Sequence, residues 1–103
     1  MEVHLWRADA ALHEPDDFRT FKVVAHGFTS TAELHQRLGA LGRAAEDSEH
    51  VFVEAGWLAE HARDAADSQE WRHRFEEMRA LAARHGWVDE AGRIRAHVEL
   101  AHS

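Results

Sequence analysis

Apolar and polar side chains alternate strictly from Ile94 to Leu100, with Ile94, Ala96, Val98 and Leu100 on one side and Arg95, His97 and Glu99 on the other. Such a run predicts a strand with one face in a core and one face free to collect ionisable groups. The same period of two at Val3 to Arg7 sets Val3 and Leu5 against His4 and Trp6 and predicts a first strand. His13 to Asp17 contains the only proline, Pro15, followed by two aspartates, and reads as a turn. From Phe18 to His26, the aromatic and β-branched residues Phe18, Thr20, Phe21, Val23 and Val24 predict a second strand, hairpin-paired with the first and closed by Gly27. Val51 to Val53 is a short apolar run, and we expect a third strand there.

Between these runs the period lengthens to that of a helix. Ser30 followed by Glu33 has capping-box spacing, and Leu34, Leu38 and Leu41 continue a stripe that predicts a first helix over Thr31 to Ala45. Trp57, Leu58, His61, Ala62 and Ala65 mark one side of a second. Asp67 and Glu70 repeat the capping spacing ahead of the clearest helix of the chain, whose apolar face is Trp71, Phe75, Met78 and Ala82, widened by Leu81. Glu70 and Arg74 stand at the spacing of a favourable ion pair. Gly86 supplies its stop, Trp87 is expected to pack back on the last turn, and Asp89 to Gly92 reads as a tight turn leading into the final strand.

The order strand, strand, helix, strand, helix, helix, strand predicts an α+β fold: a mainly antiparallel sheet of about four strands with two to three helices packed on one face. Residues 1–103 are expected to form a single domain, since a chain of 103 residues has room for one core.

Composition narrows the functions open to such a fold. Apolar residues make up 45% and charged residues 30%, the balance of a globular protein rather than a disordered one. There is no cysteine, which removes disulfides, thiolate metal sites and thiol nucleophiles. No apolar run reaches the roughly 20 residues of a membrane span, and the opening residues lack a secretory pattern, so a cytoplasmic location without a membrane partner is expected. A net charge of −7 argues against nucleic acid as a partner. A single lysine, no asparagine and abundant Ala and Arg are the bias of a GC-rich, bacterial genome.

Helices on one face leave the other face of the sheet open, and there the alternation places His4 and Trp6, then Thr20, Lys22, Val24 and His26, then Arg95, His97 and Glu99. Histidine, with an ordinary pKa near 6.5, exchanges protons close to neutrality, and a neighbouring carboxylate fixes its tautomer. His97 and Glu99 are two apart on one strand and point the same way, so the catalytic reading takes His97 as base and Glu99 as the group that orients it. Lys22 and Arg95 suit a substrate anion, Trp6 an apolar or aromatic portion, and His4 and His26 complete the ligand-binding surface. Trp6, Phe18 and Val24 also give this face apolar area that a second subunit would cover, and a homodimer is expected. His4, His26, His97 and Glu99 are the ligand types of a divalent metal, although no HExxH pattern is present.

Other histidines have packing roles: His61 beside Leu58, His85 at a helix end, His35 and His73 on polar helix faces, His102 in a tail. Trp57, Trp71 and Trp87 are expected to fill or close the core. No GxGxxG, P-loop, GxSxG or EF-hand pattern occurs, and the serines are explained by caps, loops and the chain end. The sequence therefore leads to a small protein that binds an anionic or aromatic molecule on a histidine-bearing sheet face, with cofactor-independent proton transfer or isomerisation as its chemistry. A non-enzymatic protein-interaction module and a His/Glu metal-binding protein are the alternatives.

Overall fold

The C-terminal alternation folds as the longest strand of the sheet, and the other elements assemble around it. A computed structural model describes residues 1–47 and 49–101; Ser48, His102 and Ser103 lie outside the described residues. Six strands, β1 (Glu2–Leu5), β2 (Ala10–His13), β3 (Lys22–His26), β4 (Gly42–Ala44), β5 (His50–Val53) and β6 (Ile94–Ala101), and three helices, α1 (Thr31–Arg37), α2 (Ala55–His61) and α3 (Gln69–Arg84), make an α+β fold. The strand order is β2-β1-β3-β6-β5-β4.

The sheet is mixed and has six strands, which corrects the expected mainly antiparallel sheet of about four. β1 turns back within four residues, so its antiparallel partner is β2, with Leu5 opposite Ala10. The longer link from His13 to Lys22 then carries the chain to the other side of β1. There β3 runs parallel to β1, and β6 runs parallel to β3. The expected β1–β3 hairpin is thus replaced by a parallel pair. β4, β5 and β6 are antiparallel neighbours.

The first helix stops earlier than its leucines indicate. Ser30 Oγ accepts from the Glu33 amide at 3.2 Å, but α1 ends at Arg37, and Gly39, at φ 51, diverts the chain into a short 3-10 turn. Leu38 and Leu41 stay buried from outside the helix. Gly42 opens β4, where an added Cβ would lie 1.9 Å from the Phe52 carbonyl oxygen; only glycine permits that strand approach.

On α3 the cap is Ser68, whose Oγ accepts from the Trp71 amide at 3.2 Å, and not Asp67. Its end follows the expected stop: Gly86, at φ 74, lets the Gly86 amide donate to Ala83 O and the Trp87 amide to Ala82 O, a Schellman pair. Trp71, Phe75 and Ala82 are buried, Met78 is half-buried and Leu81 is exposed. Trp71 Nε1 donates to Pro15 O at 2.8 Å, tying the helix to the loop before β3. Trp71 is buried in the core and the half-buried Trp57 packs against it, closing it, whereas Trp87 is exposed. The expected Glu70–Arg74 pair gives way to Arg74 lying 4.9 Å over the Phe18 ring.

All three helices cover one face. Val3, Leu5, Val23, Ala25, Val51, Val53, Ile94, Ala96 and Val98 point into one core with Leu34, Leu58, Trp71 and Phe75. Each fully buried aliphatic side chain there contributes roughly 1.5–3 kcal/mol of transfer free energy. The Cα radius of gyration, 13.0 Å, is that of about 100 residues around a single core. Among the described residues, no helix is long and apolar enough to cross a membrane.

Candidate functional site

The uncovered face is a grid whose rows follow from strand register. One row runs across five strands: His13, Glu2, Lys22, His97, His50. The next contains Ala11, His4, Val24 and Glu99. A third, toward the strand ends, sets His26 beside Trp6, with ring centroids 4.6 Å apart. Period-two alternation along β1, β3, β5 and β6 and cross-strand pairing, which adds β2, create this surface. Phe18, expected here, instead packs 5.7 Å from the Trp71 ring on the helix side.

Its best-organised part is a stack of rings. His13 lies 4.2 Å from His4, His4 lies 5.1 Å from His26, and His26 lies against Trp6. Trp6 occupies the β1–β2 turn, which α1 braces: Arg7 pairs with Glu33, and Arg37 donates from Nε to Arg7 O at 2.6 Å and from Nη2 to Asp9 O at 3.3 Å.

Hydrogen bonds run through the stack. His4 Nε2 stands 3.0 Å from Glu2 Oε1, and His4 Nδ1 stands 2.8 Å from His26 Nε2. The carboxylate can only accept, so His4 carries its proton on Nε2. Neutral His4 then accepts from the Nε2–H of His26, whose Nδ1 keeps the basic lone pair. The bond from His4, with help from the Lys22 charge, holds the Glu2 carboxyl below its ordinary value near 4.5 despite the opposing effect of desolvation. His4 is well covered, its side chain 15% exposed.

The residues singled out in the sequence separate into four groups. His4, Trp6 and His26 converge in the stack. Lys22 and Glu99 form an ion pair at 2.9 Å, with Lys22 Nζ also 3.9 Å from Glu2 Oε2, and the Glu99 contacts raise the Lys22 pKa. Glu99 is therefore directed at Lys22, while the exposed His97 has the His50 ring 5.6 Å away, edge to face. Arg95 lies farther along β6, its guanidinium 5.7 Å over the Trp87 ring. Two strand spacings of about 4.8 Å separate His4 from the Glu99 position, roughly 10 Å, so the four proposed metal ligands do not meet. Among the described residues, no three His, Asp or Glu side chains are placed to hold one metal ion. Both nitrogens of His4 are already occupied by Glu2 and His26.

Sequence reasoning missed Glu2, His13 and the Asp47–His50 pair. Glu2 and His4 share the two-residue spacing that drew attention to His97 and Glu99, and that signal was available. His13 falls in the segment that reads as a turn, because β2 has no alternating pattern. Asp47 Oδ1 accepts from the Glu49 and His50 amides at 2.9 and 2.8 Å, and its Oδ2 takes the His50 ring at 2.9 Å. These bonds, the Glu49 amide foremost, lower the Asp47 pKa.

Among the described residues, five of the clefts lie along α3, beside the 3-10 turn at 63–67 and at the β4–β5 edge, and none of these five includes a ring of the stack. No protein-family model, curated protein or solved structure matches this chain.

Proposed function

We propose that the chain binds a small anionic or aromatic molecule against the His13–His4–His26–Trp6 stack and exchanges a proton with it through His26. The observation that carries this reading is the continuous Glu2–His4–His26 hydrogen-bond chain beneath an exposed indole. A proton leaving the ligand passes to His26 Nδ1; the imidazolium charge is stabilised through His4 by the Glu2 carboxylate, and the ligand keeps the electron pair. Lys22, 3.9 Å from Glu2, supplies a positive charge for an anionic ligand. In this arrangement the sequence-based pair of His97 and Glu99 forms the outer margin of the surface, and cofactor-independent proton transfer or isomerisation is its chemistry.

Histidine- and indole-detected NMR with a set of aromatic carboxylates tests the proposal. We expect shifts at the Trp6 indole and the His4 and His26 rings, and roughly tenfold weaker binding in Trp6→Ala, about 1.4 kcal/mol. Shifts confined to other residues, or none at all, end this reading.

The exposed Trp6 indole on the same face supports a second reading, a non-enzymatic interaction module that pairs sheet to sheet in a homodimer. Sedimentation equilibrium decides it: Trp6→Glu should then convert dimer to monomer, whereas a wild-type monomer excludes it.

A further inference from the structure

The arginines of this acidic chain are not evenly neutralised. Arg7, Arg43, Arg79 and Arg93 each face a carboxylate. Among the described residues, seven arginines have no carboxylate at ion-pair distance, and four of these, Arg19, Arg74, Arg84 and Arg95, line one continuous groove beside α3, Arg95 also bordering the cleft of Glu46, Asp47, Asp89 and Glu90. Two adjoining clefts of about 490 and 240 Å³ share Phe18, Arg19, Met78 and Leu81 and so form this groove. Its one acidic lining residue, Glu77, is engaged by His73 Nε2 at 2.7 Å.

The floor is apolar. Leu81 is 49% exposed and Trp87 40%, two of the three large apolar side chains left in the open among the described residues, and Met78 and Phe21 extend the surface between them. Arg74 and Arg95 lie over the Phe18 and Trp87 rings, so their guanidinium edges are presented at the rim. From Arg74 to Arg84 the helix rises about 15 Å, the length of a short helical peptide and more than a compact small molecule needs. The groove is open along its length, whereas small-ligand sites enclose most of their ligand.

We propose that this groove docks an acidic amphipathic segment of a partner protein, its apolar side chains on Leu81, Met78 and Trp87 and its carboxylates on the four arginines. Charge complementarity selects the occupant: an apolar strip rimmed by unneutralised guanidinium groups discriminates against basic segments and weakens as salt rises. This surface is separate from the ring stack and does not depend on the reading given for it.

The test is a selection from a random library of peptides about twelve residues long, which span about 18 Å when helical, on the full chain and on Leu81→Glu. Leu81 is exposed, so the variant should keep the wild-type unfolding midpoint; Arg84→Glu serves as a second, purely electrostatic variant. We expect the enriched peptides to pair apolar residues with Asp or Glu. The synthesised winner should bind at least roughly tenfold more weakly to either variant by fluorescence anisotropy, a change of about 1.4 kcal/mol. Enrichment of basic or uncharged peptides, no enrichment, or binding indifferent to both variants overturns the proposal. A concentration-dependent dimer that Leu81→Glu dissociates also overturns it, by making a second copy the occupant.

Discussion

On the covered face of the sheet, Val3, Val23 and Val98 meet across three strands and are 0%, 0% and 7% exposed. One residue along, the same three strands bring His4, Val24 and Glu99 together on the open face. The backbone is shared, and the difference lies entirely in which alternate residues face the helices. The covered side is held by apolar burial, which is large and indifferent to charge. The open side is held by hydrogen bonds and ion pairs whose net contributions are small, because water competes for the same groups. Function can therefore occupy the open side at little cost to folding.

The sharpest way to break this comparison is to damage the covered side. Phe75→Ala, at a position 5% exposed, should cost about 3–5 kcal/mol in urea unfolding. A loss below about 1 kcal/mol would place the core elsewhere.

Asp89 comes next, because it is a polar residue with core-like coverage. Its side chain is 2% exposed, and it accepts from the Ala91 and Arg93 amides and from the Arg93 and Arg43 guanidinium groups. Burial alone would push its carboxyl up, but these donors together outweigh burial and hold it below 3.8. The contribution is thus complete above the ordinary carboxylate value and is lost as pH falls through the lowered one. Asp89→Asn should cost about 1.5–3 kcal/mol near neutrality. The gap to wild type should close in acid, read from unfolding midpoints across that pH range. A gap that does not change with pH would remove the charge from the explanation.

The smallest effects divide the open face itself. His4→Ala should cost about 1 kcal/mol through its lost bonds to Glu2 and His26, whereas His97→Ala should stay within about 0.5 kcal/mol. Equal losses would mean that the ring stack is no better organised than the exposed middle of the sheet.

The candidate face was legible in the sequence to the extent that it depends on alternation. His4, Lys22, His26, His97 and Glu99 all lie on the open side because each sits one residue away from a core valine or alanine. Their partners were not legible. Glu99 has the same spacing from His97 that Glu2 has from His4, yet only Glu2 meets its histidine, because Lys22 on the neighbouring strand takes the Glu99 carboxylate. The groove beside α3 left a faint sequence signal, with Arg74, Met78, Leu81 and Arg84 on one flank of the helix. The helical stripe points Leu81 to the core, although it is exposed, because a stripe cannot show where its sheet ends.

The sequence by itself determined the local features: the period of two that sorts β1 and β6 into a core side and an open side, the serine that starts α1, and the glycine that ends α3. These depend on residues within a turn or two of one another. Tertiary structure alone decided that β6 lies between β3 and β5, and hence that His97 stands beside Lys22 and His50 rather than beside His4. Strand order is set by how the helices and loops pack on the far face, and no local pattern encodes that balance.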